Sequence, residues 1–245
     1  FVHGFTVGTN AFLMRTGARV VMVLTDGFRD VLEIGDQLRP ELYSLQQNKP
    51  VPVVPRSRIL EIAERIDSFG EVVQEISDDD IARVIDDIAA LEPEAISVCL
   101  NFSFVNDVHE RKLGEALRQK FTDIPVYLSC DVNPEIEEYP RTNTTAIAGY
   151  LGPIIDKYLR HLEKDLQDSG VTAPLRLMRS DGGMSTPRAA RTNPATMMLS
   201  GPAGGVIASA YLGQRLEIEN LVTFDMGGTS ADFSTIVGGS PKKVN

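Results

Sequence analysis

Residues 221–232, Leu-Val-Thr-Phe-Asp-Met-Gly-Gly-Thr-Ser-Ala-Asp, place a carboxylate, two adjacent glycines and two hydroxyls within a short stretch. Glycines let backbone N–H groups approach phosphate oxygens closely, hydroxyls add donors, and a nearby carboxylate holds Mg²⁺ through its water shell. Gly227, Gly228, Thr229 and Ser230 are therefore the candidate phosphate cradle, and Asp225 is the candidate metal residue. Asp225 and Thr229 are also the candidate catalytic residues. The apolar run 221–224 reads as a strand delivering Asp225 to a Gly-Gly turn, with 233–237 as the returning strand. Taken alone, the same pattern is equally a plain β-hairpin.

Three further stretches could do chemistry. Upstream, Ser200-Gly-Pro-Ala-Gly-Gly-Val-Ile-Ala-Ser-Ala reads as a helix with Ser200 as cap and Pro202 in its first turn. Its small residues, Gly204 and Gly205 among them, leave room for another helix or a ligand. The turn Ser180-Asp181-Gly182-Gly183 is a substrate-contact candidate or simply a tight turn, and the Asp181 charge would oppose an anionic substrate unless a cation stood nearby. The segment His3-Gly-Phe-Thr-Val-Gly-Thr-Asn10 leads into an expected helix over 11–15, with His3, Thr6 and Asn10 as candidate contacts. His3 is equally a structural histidine. Arg141 either faces a carboxylate or phosphate, or forms an ion pair with Glu137 or Glu138.

A small-residue helix followed by strand-Asp-x-Gly-Gly-Thr-strand resembles the actin, Hsp70 and sugar-kinase ATPase superfamily. The segments His3–Ala11, Thr25–Gly35, Glu64–Asp67, Glu138–Thr142, Ser180–Gly183, Leu199–Gly205 and Asp225–Ser230 narrow the likeness. In that order they resemble the hydantoinase A/5-oxoprolinase family across almost the whole chain. Two positions depart from the family pattern, Phe5 in place of a threonine and Asp181 in place of an asparagine. The resemblance implies an α/β, actin-like (ribonuclease H-like) ATPase fold with mixed sheets flanked by helices. It implies ATP and Mg²⁺ as cofactors, and a hydrolase that opens a cyclic amide of the hydantoin or 5-oxoproline type through a phosphorylated amide. The alternatives are an ATP-dependent ketone carboxylase subunit of the acetone or acetophenone type, or a non-catalytic actin-like nucleotide-binding module. The implied partner is a B-type hydantoinase subunit or domain, and a homo-oligomer stays open. Family members open with an earlier phosphate hairpin, so the chain reads as part of a longer enzyme, inactive alone. Residues 1–140 would be the rest of the family's N-terminal region, and 141–245 the start of the hydantoinase A core.

Bulk properties narrow the partners. The 245 residues carry 24 Lys plus Arg against 34 Asp plus Glu, a formal charge of −10, and no basic run, which argues against a nucleic-acid backbone. Apolar runs are too short to span a bilayer and no secretory signal is visible, so cytoplasmic residence is expected. Cys99 and Cys130 lack metal-ligand spacing and read as buried thiols. Of three histidines, His109 and His161 are expected on polar helix faces, leaving no zinc set.

These groups need a scaffold, and the pattern supplies alternating elements. Strands are expected over 20–24, 95–100, 126–129 and 175–179, and a hairpin around Ser68-Phe-Gly70 between Ile59 and Ile76. Helix 78–91 starts at Ser77-Asp-Asp-Asp80, a cap in which acids face the positive helix end and not a Ca²⁺ loop. A second helix is expected over 109–121. The third, over 144–167, carries one long apolar stripe and is expected to kink or start late at Gly152-Pro153. This alternation predicts βαβ units around a parallel or mixed sheet.

Overall fold

The computed structural model describes residues 1–38, 43, 46, 49–227 and 231–242. In chain order the elements are β1 (Val2–His3), α1 (Val7–Leu13), β2 (Val20–Thr25), α2 (Val31–Ile34), β3 (Ile59–Ile62), β4 (Arg65–Ile66) and β5 (Val72–Gln74). There follow α3 (Asp78–Ala90), β6 (Ala95–Cys99), α4 (Val108–Lys120), β7 (Val126–Leu128), α5 (Ser129–Val132) and α6 (Glu138–Asp168). The last are β8 (Arg176–Met178), β9 (Met184–Ser185), α7 (Pro187–Thr192), α8 (Ser200–Arg215), β10 (Leu221–Met226), β11 (Ala231–Val237) and β12 (Ser240–Pro241). They divide into two compact units. The first comprises Phe1–Asn10, Tyr158–Arg191 and Thr196–Asn245, and the second Ala11–Lys157 with Thr192–Ala195.

The second unit is built on a four-stranded sheet in the order β3-β2-β6-β7, parallel throughout. All of β2 is buried, as a parallel strand covered on both faces must be, and its sequence Val-Val-Met-Val-Leu-Thr is nearly continuous in apolar character. One sheet face presents Val21, Val23, Ile96 and Val98 to Ile81, Val84 and Ile88 of α3 and to Leu113 and Leu117 of α4. Burying each such side chain contributes about 1.5–3 kcal/mol. On the opposite face Ser97 Oγ donates to the Thr145 carbonyl of α6 at 3.0 Å. A Cβ on Gly149 would collide with Ser97 Oγ, so glycine there lets α6 lie close on the sheet.

Expected and observed elements agree in order, with shifted ends. Ser77 caps α3 as anticipated, its hydroxyl accepting from the Asp80 N–H at 3.0 Å. Of the residues expected in one hairpin, β4 and β5 do form it, but β3 joins the parallel sheet instead. Helix α1 begins at Val7 and not at residue 11. Helix α6 starts at Glu138 and runs through Pro153, so the late start at Gly152-Pro153 is not seen. A Cβ on Gly152 would overlap the Tyr127 phenol, so this glycine serves the contact with β7.

The first unit holds two small sheets. In one, β1 pairs parallel with β8, which pairs antiparallel with β9. In the other, β10, β11 and β12 form an antiparallel meander. The strand–Asp–Gly-Gly–strand reading thus becomes the β10–β11 hairpin, while Gly228, Thr229 and Ser230 lie outside the described residues.

Candidate functional site

Register in the β10–β11 hairpin sets Asp225 directly across from Asp232. Directly opposed residues stand about 4.5–5.5 Å apart at Cβ, and like charges there are destabilising. Among the described residues neither carboxylate has an ion-pair partner. Both line a cleft of about 620 Å³ together with Thr223, Ser234, Ser180, Leu199 and the Pro202, Ala203 and Gly205 stretch of α8. The volume is that of a small-molecule site. A Cβ on Gly205 would meet nothing within 4 Å, and one on Gly204 only Met178 at 3.7 Å. Packing does not demand glycine at either place; their small size leaves space. Leu199, just before α8, sits at φ 55°, in the left-handed region that a branched side chain rarely adopts.

The start of α8 is also where the segment at 3–10 arrives. Ser200 Oγ donates to the Phe5 carbonyl at 2.8 Å and accepts from the Phe5 N–H at 3.3 Å, and Thr9 Oγ1 accepts from the Leu199 N–H at 2.9 Å. Here glycine eases a close approach: a Cβ on Gly4 would stand 3.2 Å from the Ser200 carbonyl oxygen, and one on Gly201 3.1 Å from the Thr6 methyl. Ser200 thus acts as a clasp as well as standing at the helix start, and the expected cap at that end has shifted to Leu199. His3 Nε2 lies 2.6 Å from the Tyr158 hydroxyl within a stack of Phe1, His3, Phe5 and Tyr158. Partial burial lowers the His3 pKa and raises that of Tyr158. Asn10 falls inside α1, its N–H bonded to the Thr6 carbonyl at 2.8 Å.

Ser180-Asp181-Gly182-Gly183 forms the β8–β9 turn. Gly182 takes φ 81°, and a Cβ there would run into Ile207. Asp181 accepts from the Gly183 N–H at 2.9 Å and pairs with Arg179 at 2.9 Å. The cation that an anionic substrate would require beside Asp181 is therefore present. Ser180, Gly205 and Asp225 share the first cleft, and Asp181 and Gly182 line a neighbouring one.

Arg141 lies in the second unit, 1% exposed. Its Nη1 donates to the Leu100 carbonyl and Ser103 Oγ, each at 2.7 Å, and to Ser129 Oγ at 3.0 Å. Among the described residues no ion pair joins it to Glu137 or Glu138. The network continues into residues that the sequence reading did not single out. Glu110 accepts from the Leu100 N–H at 2.8 Å, Ser129 Oγ at 2.6 Å and the Cys130 N–H at 2.9 Å. One residue earlier, His109 is buried, not on a polar face, with Nδ1 2.7 Å from Glu64 and Nε2 3.4 Å from Glu75. Glu64 in turn accepts from Thr25, whose hydroxyl accepts from the Asn101 N–H at 2.9 Å. These groups sit at the carboxyl ends of β2, β6 and β7. The strand order reverses between β2 and β6, the position where open α/β sheets usually take a ligand. A signal was available: Glu110, Leu113, Gly114 and Leu117 recur at helical spacing on the buried face of α4. Cys99 is buried and Cys130 half-buried, both unpaired, and burial pushes both thiols up. No group of three or more His, Cys, Asp or Glu side chains among the described residues could hold a metal ion, and no described helix is long and apolar enough to cross a membrane.

A parallel sheet flanked by helices, joined in the chain to a hairpin that lines a cleft with Asp225 and Asp232, defines a mixed α/β protein of the kind found in ATP-dependent enzymes. The nucleotide-free structure of an acetone carboxylase matches 98% of the chain with a TM-score of 0.90 at 28% identity. The chain belongs to the hydantoinase/oxoprolinase family: the family's N-terminal region matches residues 1–121 and the Hydantoinase/oxoprolinase model residues 141–245. An uncharacterized protein of Methanocaldococcus jannaschii is 36% identical over the whole chain, and the caprolactamase subunit alpha of Pseudomonas jessenii is 31% identical over 97% of it. The chain spans about a third of these proteins, 36% and 34% of the two relatives and 35% of the carboxylase chain.

Proposed function

We propose that the protein is an ATP-dependent hydrolase that opens a cyclic amide, its nucleotide phosphates seated in the cleft between α8 and the β10–β11 hairpin in an actin-like arrangement. The observation that carries this reading is the opposed, uncompensated Asp225–Asp232 pair on a cleft of about 620 Å³. Such a pair calls for a cation, and hard carboxylate oxygens suit Mg²⁺ that keeps its waters and bridges to phosphate. Asp225 and Asp232 would hold the ion; Gly204, Gly205, Gly227, Gly228, Thr229 and Ser230 would surround the phosphates. When bound, Mg²⁺ neutralises charge on the phosphates.

The chemistry follows from the poor reactivity of an amide. Its carbonyl oxygen attacks the terminal phosphorus of ATP, ADP leaves, and the ring carbon becomes the centre of a phosphorylated imidate. Water adds to that carbon, and the C–N bond breaks as nitrogen takes a proton with the bond's electron pair. A second water releases phosphate from the resulting acyl phosphate, leaving an amine and a carboxylate. The chain's work is positioning and charge stabilisation. Contacts to the ring are sought among His3, Thr6, Asn10 and Ser180 to Gly183. A B-type partner is expected, since the Pseudomonas jessenii relative is itself named as a subunit.

The acetone carboxylase likeness favours a second reading, in which a ketone loses an α-proton, is phosphorylated on oxygen and takes up carbon from bicarbonate. Phosphate release by the protein at native length with its partner, in Mg²⁺ and ATP, separates the two. Release stimulated by 5-oxoproline or a hydantoin supports the hydrolase. Release only with acetone or acetophenone plus bicarbonate transfers the protein to the carboxylases. ATP binding with no substrate-dependent release leaves a nucleotide-controlled binding module.

A further inference from the structure

Leu199 enters α8 in an uncommon way. Among the described residues seven non-glycines take a positive φ, and of these Leu199 is the one that lines the cleft of about 620 Å³. The residue before a helix ordinarily takes an extended conformation and caps the first turn with a side-chain oxygen. Leu199 instead sits at φ 55° and ψ 18°, with no side-chain cap bond. A left-handed leucine persists only where its surroundings impose it. Burial does not, because Leu199 is 46% exposed.

Hydrogen bonds from the segment at 5–9 do impose it. Thr9, buried on α1, accepts from the Leu199 N–H through Oγ1 at 2.9 Å. The residues that follow have little slack. Ser200 is tied through its hydroxyl to both backbone groups of Phe5, the ring of Pro202 fixes its own φ, and the Thr6 methyl stands close against Gly201. The direction in which the first turn of α8 meets the cleft is therefore decided at Leu199. Leu199, Pro202 and Ala203 line the same cleft as Asp225 and Asp232, whereas Thr9 does not line it.

We propose that Thr9 is a positioning residue for this cleft: its hydroxyl holds Leu199 in the left-handed conformation, and that conformation sets the wall against which the nucleotide phosphates pack. The proposal rests on the nucleotide reading above. Without the Thr9 acceptor the Leu199 N–H loses its partner, and the backbone relaxes toward the extended region. The first turn of α8 then shifts relative to the two carboxylates. Thr9 touches neither phosphate nor metal and acts through Leu199.

The test is calorimetric titration of Mg²⁺·ATP into the protein at native length, unmodified and substituted, with denaturant unfolding measured alongside. Thr9→Val keeps the outline of the side chain and removes the hydroxyl. Its Kd should rise roughly fivefold, the scale of one neutral hydrogen bond. Thr9→Ser keeps the hydroxyl and should bind as the unmodified protein does. Thr9→Val combined with Leu199→Asn tests the route. Asparagine has nearly the outline of leucine and takes the left-handed conformation readily. Affinity should therefore return although the hydrogen bond does not. A purely structural Thr9 would lower the stability of Thr9→Val and leave its Kd unchanged, and that result overturns the proposal while the nucleotide reading stands. A weakened Thr9→Val that Leu199→Asn fails to rescue overturns it too. No binding by the unmodified protein overturns the nucleotide reading and this proposal with it.

Discussion

Carboxylates meet opposite fates in the two units. At the carboxyl edge of the parallel sheet, Glu64 and Glu110 are fully buried, and each is satisfied by named donors. On the β10–β11 hairpin, Asp225 and Asp232 stand side by side on paired strands, lining one cleft, with no ion-pair partner among the described residues. The sheet edge is the position where a ligand is usually expected, yet here protein groups fill it. Adjacent residues on α4 do this: His109 ties β2 and β3 through Glu64, and Glu110 ties the ends of β6 and β7. Buried ionisable groups of this kind hold geometry at little net gain in stability. Exposed ones, such as Asp225, are left to water and, on the reading proposed above, to a cation. The comparison teaches that the position of a carboxylate in a familiar topology says less than whether its acceptors are already occupied.

If the filled edge is structural, breaking it should unfold the protein. Arg141→Met strips donors from Leu100, Ser103 and Ser129 and leaves Glu110 without the cation linked to it through Ser129; a loss of about 3–5 kcal/mol is expected in denaturant unfolding. A loss below about 1 kcal/mol would remove the distinction between the two regions. Asp225→Asn should do the reverse: stability within about 0.5 kcal/mol of the parent, because it relieves a like-charge pair. Amide-stimulated phosphate release should nonetheless fall by about 10²-fold or more, the scale of a lost transition-state contact.

Between these extremes lies Gly182→Ala. It places a Cβ at φ 81° and against Ile207, and should cost about 1–3 kcal/mol, read by thermal unfolding. It should also raise the KM for the ring more than it lowers kcat. The smallest effect belongs to His3. Its pKa in the folded protein lies below the ordinary 6.5 because partial burial disfavours the imidazolium. Folding therefore prefers the neutral ring: the stability is whole above pH 6.5 and declines as pH falls through the lowered value. An NMR titration of His3 giving a midpoint at or above 6.5 would remove this link.

Strands and helices of the second unit were legible because burial writes itself into period. The all-apolar β2, the Ser77 cap and the α3 face at Ile81, Val84 and Ile88 leave little choice. The ends were less so. Pro153 suggested a kink or a late start for α6, yet the helix begins well before it at Glu138, and Gly152 is a packing position against Tyr127. Asp225 stands out as a candidate because glycines and hydroxyls follow it contiguously in the chain. The pairing with Asp232 needed the strand register, and the Glu64–His109 contact joins residues 45 apart. Polar residues on a buried helix face read as solvent-facing unless their spacing is compared with the apolar neighbours, as at Glu110 and Leu113.

The most direct test is calorimetric titration of Mg²⁺·ATP into the protein at native length, unmodified and as Asp225→Asn. The account predicts binding by the unmodified protein and an affinity at least roughly tenfold weaker in the variant, about 1.4 kcal/mol, with unfolding unchanged. Equal affinity in the two proteins would contradict it and move the nucleotide away from the β10–β11 hairpin.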